Sequence, residues 1–481
     1  MASPFFLSSN PRIQVHHFLV PILASMRPLP PSRSSNASQP LLFMALAGVF
    51  FCIAVTKFGI PIILDADVFP VNGWLDAIAA GSSYTWPVKR GYLLMIPVFL
   101  AGLFAIRWPS NTDKPVGTPR RGIRILLLCP LLWLGWEFIS ATTSISPRLT
   151  GPTLAHFSAC VAFFYLGFFA LRGARNPWPV WAGLGLGLCW VLHLAMMQHF
   201  GGLEATRKMI SEGRQVYLSP ETLRAPAFVL KIMSDRVFGS FMYPNALAAG
   251  LLLLLPVTLV FLWQLAPKVQ TGIRLLFVAI LGGCALACLY WSGSKAAWIF
   301  MVLLGVVALA HSPLGMTWKR ILIYGLLTLG FIGFTVKYVD SAAHGKKSME
   351  ARLIYWRAAL QIARQHPMLG TGPGTFGAAY GPIKPKDAEF ARLTHNDYLE
   401  QASDSGIIGS FAYIGMIVGS IIFIYRYRLI KNGHFCVLRF SVWMGLLGLF
   451  LHSGMEFNLY YPALAWPSFF LTGWLFGQDD A

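Results

Sequence analysis

Residues 406–425, GIIGSFAYIGMIVGSIIFIY, are twenty consecutive positions without a charged side chain. A helix needs about 20 mostly apolar residues to cross a bilayer, so this segment reads as a membrane span. Directly upstream lies Leu393-Thr394-His395-Asn396-Asp397-Tyr398-Leu399-Glu400, the end of a long polar stretch. The junction is expected to set a histidine at the mouth of a membrane helix, close to both water and lipid.

The rest of the chain repeats the pattern. It is 56% hydrophobic and 12% charged, with mean hydropathy +0.59, whereas a soluble domain carries about 25% charged residues. The reading is an all-α polytopic membrane protein with about 12 transmembrane helices. The predicted spans are 41–56, 91–106, 123–140, 152–171, 180–200, 244–266, 273–291, 296–311, 321–338, 406–425, 440–453 and 462–478. They follow one another closely enough to make 41–481 a single membrane domain. Residues 1–40, with Pro28, Pro30, Pro31 and a Ser/Asn run, read as a flexible arm, a better fit than a signal peptide; Met26 and Met44 are further candidate starts. No internal repeat is visible. The seven cysteines lie in or beside apolar segments without zinc-site spacing and read as packing residues.

Basic residues set the orientation. The arm and the loops alternating with it carry 18 Lys/Arg, against 5 in the short loops of the opposite set. Short basic loops stay on the cytoplasmic side, so both termini are expected there. Loops 201–243 and 339–397 then face outward, the second lying between the ninth and tenth spans and containing short amphipathic helices. They hold six and eight Lys/Arg; long loops translocate largely regardless of charge, so that basicity calls for another reason. The net charge of +19 comes with no nucleic-acid motif, and no nucleic acid is expected as a partner.

Several residues on the outer side could carry chemistry. An unperturbed histidine titrates near 6.5, so His395 can act as a base; it also fits a plain loop position, with Asn396 or Asp397 capping the next helix. The segment Arg352-Leu353-Ile354-Tyr355-Trp356-Arg357 reads as an amphipathic helix on the membrane, its arginines gripping phosphate oxygens or merely headgroups. Gly370, Gly372 and Gly374 let backbone turn sharply or approach a ligand, without the ending of a Walker loop. Lys295, in the hairpin Ser292-Gly293-Ser294-Lys295, either snorkels to headgroups or contacts phosphate. Arg236 precedes the helix-start pair Pro244-Asn245 and is a third candidate for phosphate. Glu137, the only acid inside a predicted span, sits with Trp133, Trp136 and Ser140, which suggest a place near the interface.

Taken in order, Gly239-Ser240-Phe241 with Pro244-Asn245, Ser294-Lys295-Ala296-Ala297-Trp298, Arg352 with Trp356, His366-Pro367 through Gly372-Pro373-Gly374, and His395-Asn396 with Leu399 and Gly406 resemble the O-antigen ligase/O-antigen polymerase superfamily. The resemblance is good over roughly 235–425 and topological elsewhere. It implies a bacterial inner-membrane glycosyltransferase with a periplasmic active site, working among membrane lipids without metal or cofactor. The donor is a glycan on undecaprenyl diphosphate, a lipid-linked oligosaccharide. His395 matches the catalytic histidine and Arg352 an arginine assigned to the diphosphate; Arg236 matches a less constant basic position. Lys295 stands where members more often have arginine, which keeps the charge but loses the bidentate fork. Asp404 stands where many have glutamate; Asn396, Trp356, Gly372 and Gly374 complete the set as supporting residues. The implied reaction is inverting transfer to an acceptor hydroxyl, on lipid A-core for a ligase, on another repeat unit for a polymerase, or on Ser/Thr for a protein O-oligosaccharyltransferase. A transporter or flippase would instead want polar groups or broken helices near the bilayer midplane.

Overall fold

The computed structural model describes residues 40–64, 85–106, 121–172, 177–204, 207–208, 234–241, 243–265, 269–338, 342–431 and 434–478. Residues 1–39 of the N-terminal arm and most of loop 201–243 lie outside the described residues.

Among the described residues fourteen α-helices follow in order: α1 Leu41–Lys57, α2 Val88–Ala105, α3 Arg121–Ala141, α4 Pro147–Ala170, α5 Trp178–Met197, α6 Pro244–Leu265, α7 Thr271–Ser292, α8 Lys295–His311, α9 Met316–Tyr338, α10 Ala342–Gln365, α11 Phe376–Ile383, α12 Asp397–Tyr427, α13 Val437–His452 and α14 Pro462–Phe476. A helix covers each of the twelve apolar segments. Seven helices are long and apolar enough to cross a membrane by length and composition: α2, α4, α5 with its π-turn to Gly202, α6, α7, α9 and α12. This is the helical, polytopic pattern of a membrane protein. Two short strands, Ile430–Lys431 and His434–Phe435, pair antiparallel between α12 and α13.

The helices pack in pairs: α1 against α5, α4 against α14, α6 against α13, and α3 against α12. At the α1–α5 crossing a Cβ added to Gly183 would sit 1.9 Å from the Gly48 carbonyl oxygen, so these backbones meet because both residues are glycine. Phe51, Phe163, Trp466 and Phe470 stack into the centre of the bundle. By contrast, α9 has no buried residue, although it is 23 residues long and apolar. Apolar side chains turned outward along its whole length suit lipid as their solvent.

The helix holding segment 406–425 begins at Asp397, after the expected cap at Asn396, and is broken at Gly406 (φ 70°, ψ −172°). The segment between α9 and α12 is also more ordered than short amphipathic helices suggest, because α10 alone runs for 24 residues.

Candidate active site

The break in α12 organises this end of the molecule. A residue with φ near +70° and ψ near 180° is essentially always glycine, and a Cβ on Gly406 would lie 2.3 Å from the Met368 carbonyl oxygen. The interrupted helix leaves carbonyls that the loop after α10 uses: Thr371 N donates to Ser403 O and Gly372 N to Asp404 O (2.8 Å), while Ile407 N donates to Pro367 O. Asp404 Oδ2 accepts from Gly374 N at 2.6 Å and from the Tyr460 hydroxyl at 3.2 Å. Asp404, Gly372 and Gly374 are thus brought together as a clamp between loop and helix. We expect Gly406→Ala to cost on the order of 1–3 kcal/mol from backbone strain alone. Thermal unfolding of the purified protein checks this, and an unchanged melting temperature would contradict it.

Helix α3 closes the clamp from behind. Trp136 Nε1 donates to Ser405 O, and Ser140 Oγ to Leu369 O and Asp404 O. Glu137 is fully buried and accepts from Ser405 Oγ at 2.6 Å through both oxygens. Protein therefore encloses Glu137, and a hydrogen bond offsets its burial. Nor is it alone, since Asp397, Glu400 and Asp404 are fully buried on the first turns of α12.

His395 is poised by these contacts. Asn396 is the N-cap of α12, its side chain accepting from Tyr398 N and Leu399 N. Asp397 N donates to Ser453 O and Asp397 Oδ2 accepts from Leu459 N, tying the helix start to the loop after α13. His395 is the only non-glycine residue with positive φ among the described residues (φ 54°), a conformation that costs roughly 1–2 kcal/mol. Such strain persists where surrounding structure over-determines it, often at functional sites. Its ring lies between Tyr355 and Phe457, at centroid distances of 6.1 and 4.7 Å, and is 28% exposed.

The loop pinned by Asp397 delivers a residue that sequence reasoning missed. Glu456 Oε2 accepts from His395 Nδ1 at 2.9 Å, and Oε1 accepts from Arg352 Nη2 at 2.6 Å and from Asn245 Nδ2. Burial pushes the Glu456 carboxyl up, but His395 and Arg352 outweigh it and hold it well below the usual carboxylate range. An ionised carboxylate only accepts hydrogen bonds. Nδ1 must therefore carry the proton, and a neutral His395 presents the lone pair of Nε2. The signal available in sequence was modest: Glu456 is the only acid between Asp404 and Asp479.

The cations gather around this carboxylate. Asn245 Oδ1 accepts from Arg236 Nη2 at 2.7 Å, and Arg236 Nε donates to Ser292 O in the hairpin between α7 and α8. Gly293 (φ 63°) lets the hairpin close over Arg236, since a Cβ there would lie 3.1 Å from Nε. Burial lowers the Arg236 pKa, opposed by the Glu456 charge. Ser294 Oγ lies 3.5 Å from His452 Nε2, joining the same hairpin to the end of α13. Lys295 Nζ sits over the Tyr338 ring at 4.8 Å. The structure thus links His395, Arg352 and Arg236 through Glu456 and Asn245, and Lys295 follows directly on the hairpin whose Ser292 carbonyl holds Arg236. Trp356 is half-buried beside them in α10, with no hydrogen-bond partner for its indole Nε1. Arg357 and His366 are exposed, the arginine on a different face of α10 from Arg352.

This arrangement coincides with a known sequence family. Residues 277–414 match the O-antigen ligase family model. The resemblance carried by the ordered motifs is supported over that segment, which runs from α7 into α12. No curated protein matches the chain. The matched segment holds Lys295, Arg352, Trp356, Gly372, Gly374, His395, Asn396 and Asp404; Arg236 and Glu456 lie outside it and reach the site through the fold.

Proposed function

We propose that the chain is an inverting, metal-independent glycosyltransferase of the O-antigen ligase type, moving a glycan from undecaprenyl diphosphate to an acceptor hydroxyl, that of lipid A-core. The observation that carries the reading is the His395–Glu456–Arg352 constellation beside the cationic hairpin. Glu456 fixes the His395 tautomer, so Nε2 can take the proton of the incoming hydroxyl as it attacks the anomeric carbon. The bond from that carbon to the diphosphate oxygen breaks on the opposite face, and the leaving group gains charge. Fixed cations stabilise that charge more in the transition state than in the ground state. Arg352, Lys295 and Arg236 take this role. The basic-residue bias supports twelve crossings of the inner membrane, with both termini cytoplasmic and the site in the periplasm.

The test is to identify the molecule that gains glycan. Membranes from a deletion strain, with and without the gene restored, are compared by gel and mass spectrometry. Glycan on lipid A-core in the restored strain alone is the expected result. A longer lipid-linked polymer or a glycosylated protein would keep the donor chemistry and replace the acceptor. Unchanged glycans on all three would overturn the reading.

A further inference from the structure

One cationic residue at this site was not singled out by any motif. Lys337 is in the last turn of α9, and its Nζ lies 3.7 Å from the centroid of the Tyr290 ring on α7. Next to it, Tyr338 carries the ring under Lys295. The two lysines are therefore seated crosswise: the one from α8 rests on α9, and the one from α9 rests on α7. Tyr290 is two residues before Ser292, whose carbonyl holds Arg236, and Arg236 lies within electrostatic reach of both Lys337 and Tyr338.

Charge accounting makes the cluster unusual. Arg236, Lys295, Lys337 and Arg352 bring four positive charges to one mouth. Among the described residues the single carboxylate bonded to any of them is Glu456, which Arg352 shares with His395. Arg236 is answered by two neutral acceptors and each lysine by an aromatic face. Rings orient an ammonium without neutralising it. Arg236 lies within electrostatic reach of both Arg352 and Lys337, and like charges repel, so the arrangement suits an anion of more than one charge.

We propose that Lys337 is a further ligand of the donor's diphosphate, pairing with Lys295 so that two ammonium groups grip what one arginine fork would otherwise hold. The inference rests on the glycosyl-transfer reading above and adds a residue to it. A lysine binds phosphate as a point charge and not as a planar fork. A second lysine from a neighbouring helix restores the two points of contact.

The source of the phosphate, donor or bulk anionic lipid, separates in one experiment. The full chain is placed in phosphatidylcholine nanodiscs, and binding of undecaprenyl diphosphate, undecaprenyl monophosphate and phosphatidylglycerol is measured. Lys337→Gln should weaken diphosphate binding by roughly tenfold, as expected for one lost charge-assisted contact, with a smaller effect on the monophosphate and none on phosphatidylglycerol. Lys337→Arg should bind within about threefold of wild type because the charge is kept. Tyr290→Leu, which removes the seat and keeps the charge, should fall between the two. Unchanged diphosphate binding by Lys337→Gln overturns the inference, and reduced phosphatidylglycerol binding in that case makes Lys337 a headgroup anchor. An equal loss in Lys337→Arg and Lys337→Gln also overturns it. If the wild-type chain itself fails to bind the diphosphate, the functional reading fails and takes this inference with it.

Discussion

Replacing His395 with alanine should abolish glycan transfer while leaving donor binding in place. A positioned general base contributes roughly 10²–10⁴-fold, so the residual rate should fall at least about a hundredfold. The cations are untouched by the substitution: Arg352 and Asn245 keep their bonds to Glu456, and Arg236 keeps Ser292 and Asn245. Donor affinity should stay within about threefold, because the histidine acts on the acceptor and not on the diphosphate. Alanine in the left-handed region is no more comfortable than histidine, so the fold gains little from the change. The measurement is single-turnover transfer from a labelled lipid-linked donor, alongside equilibrium binding of that donor. Transfer at the wild-type rate by expressed, folded protein would remove His395 from the mechanism.

How much of this was legible in the chain depends on the range of the interactions involved. Helix positions follow from hydropathy, a local property, and each of the twelve apolar segments falls on a helix. The Asn396 cap is local as well, needing only a side-chain oxygen two and three residues before the amides it accepts from. The burial of the first turns of α12 was not legible, because a polar run before an apolar one looks solvent-facing. Asp397 and Asp404 accept from the loop after α13 and from the loop at 370–375, neither adjacent in sequence, while Glu400 accepts from Thr394 N just upstream. The enclosure of Glu137 was hidden for the same reason: Trp136 and Ser140 beside it donate to α12, far away in sequence. Lys337 ends an apolar run, where a lysine ordinarily answers the helix dipole or snorkels. Only its meeting with Tyr290 across the helix bundle sets it apart.

Glu456→Gln should be nearly as damaging as loss of the histidine, for a reason that concerns one proton. The glutamine oxygen is drawn to the two donors Arg352 Nη2 and Asn245 Nδ2, which already converge on Oε1. Its amide NH₂ then faces His395 Nδ1, where a donor meets a donor. The ring resolves the conflict by moving its proton to Nε2, and the nitrogen that should accept the hydroxyl proton becomes occupied. A wrong tautomer of this kind costs up to about 10⁴-fold in turnover in the serine-protease triad, so a kcat loss of roughly 10²–10⁴ is expected here. Arg352 loses its counter-charge and is freer to grip the diphosphate, so donor KM should fall while kcat drops. That split separates tautomer loss from general unfolding, which would lower active enzyme without changing KM. Stability carries a second signature. Because the folded carboxyl lies below its ordinary value near 4.3, its ionised form stabilises the fold above that pH. That stabilisation is lost as pH falls through the folded value. Breaking a buried pair on one side costs on the order of 3 kcal/mol, so wild type should exceed Glu456→Gln by a constant margin from pH 8 to about 5, narrowing below about 4. Glu456→Asp, which keeps the charge and shortens the reach, should retain the tautomer and recover part of the rate. A glutamine variant with kcat within about threefold of wild type would mean that Glu456 holds Arg352 and the loop in place without governing the base.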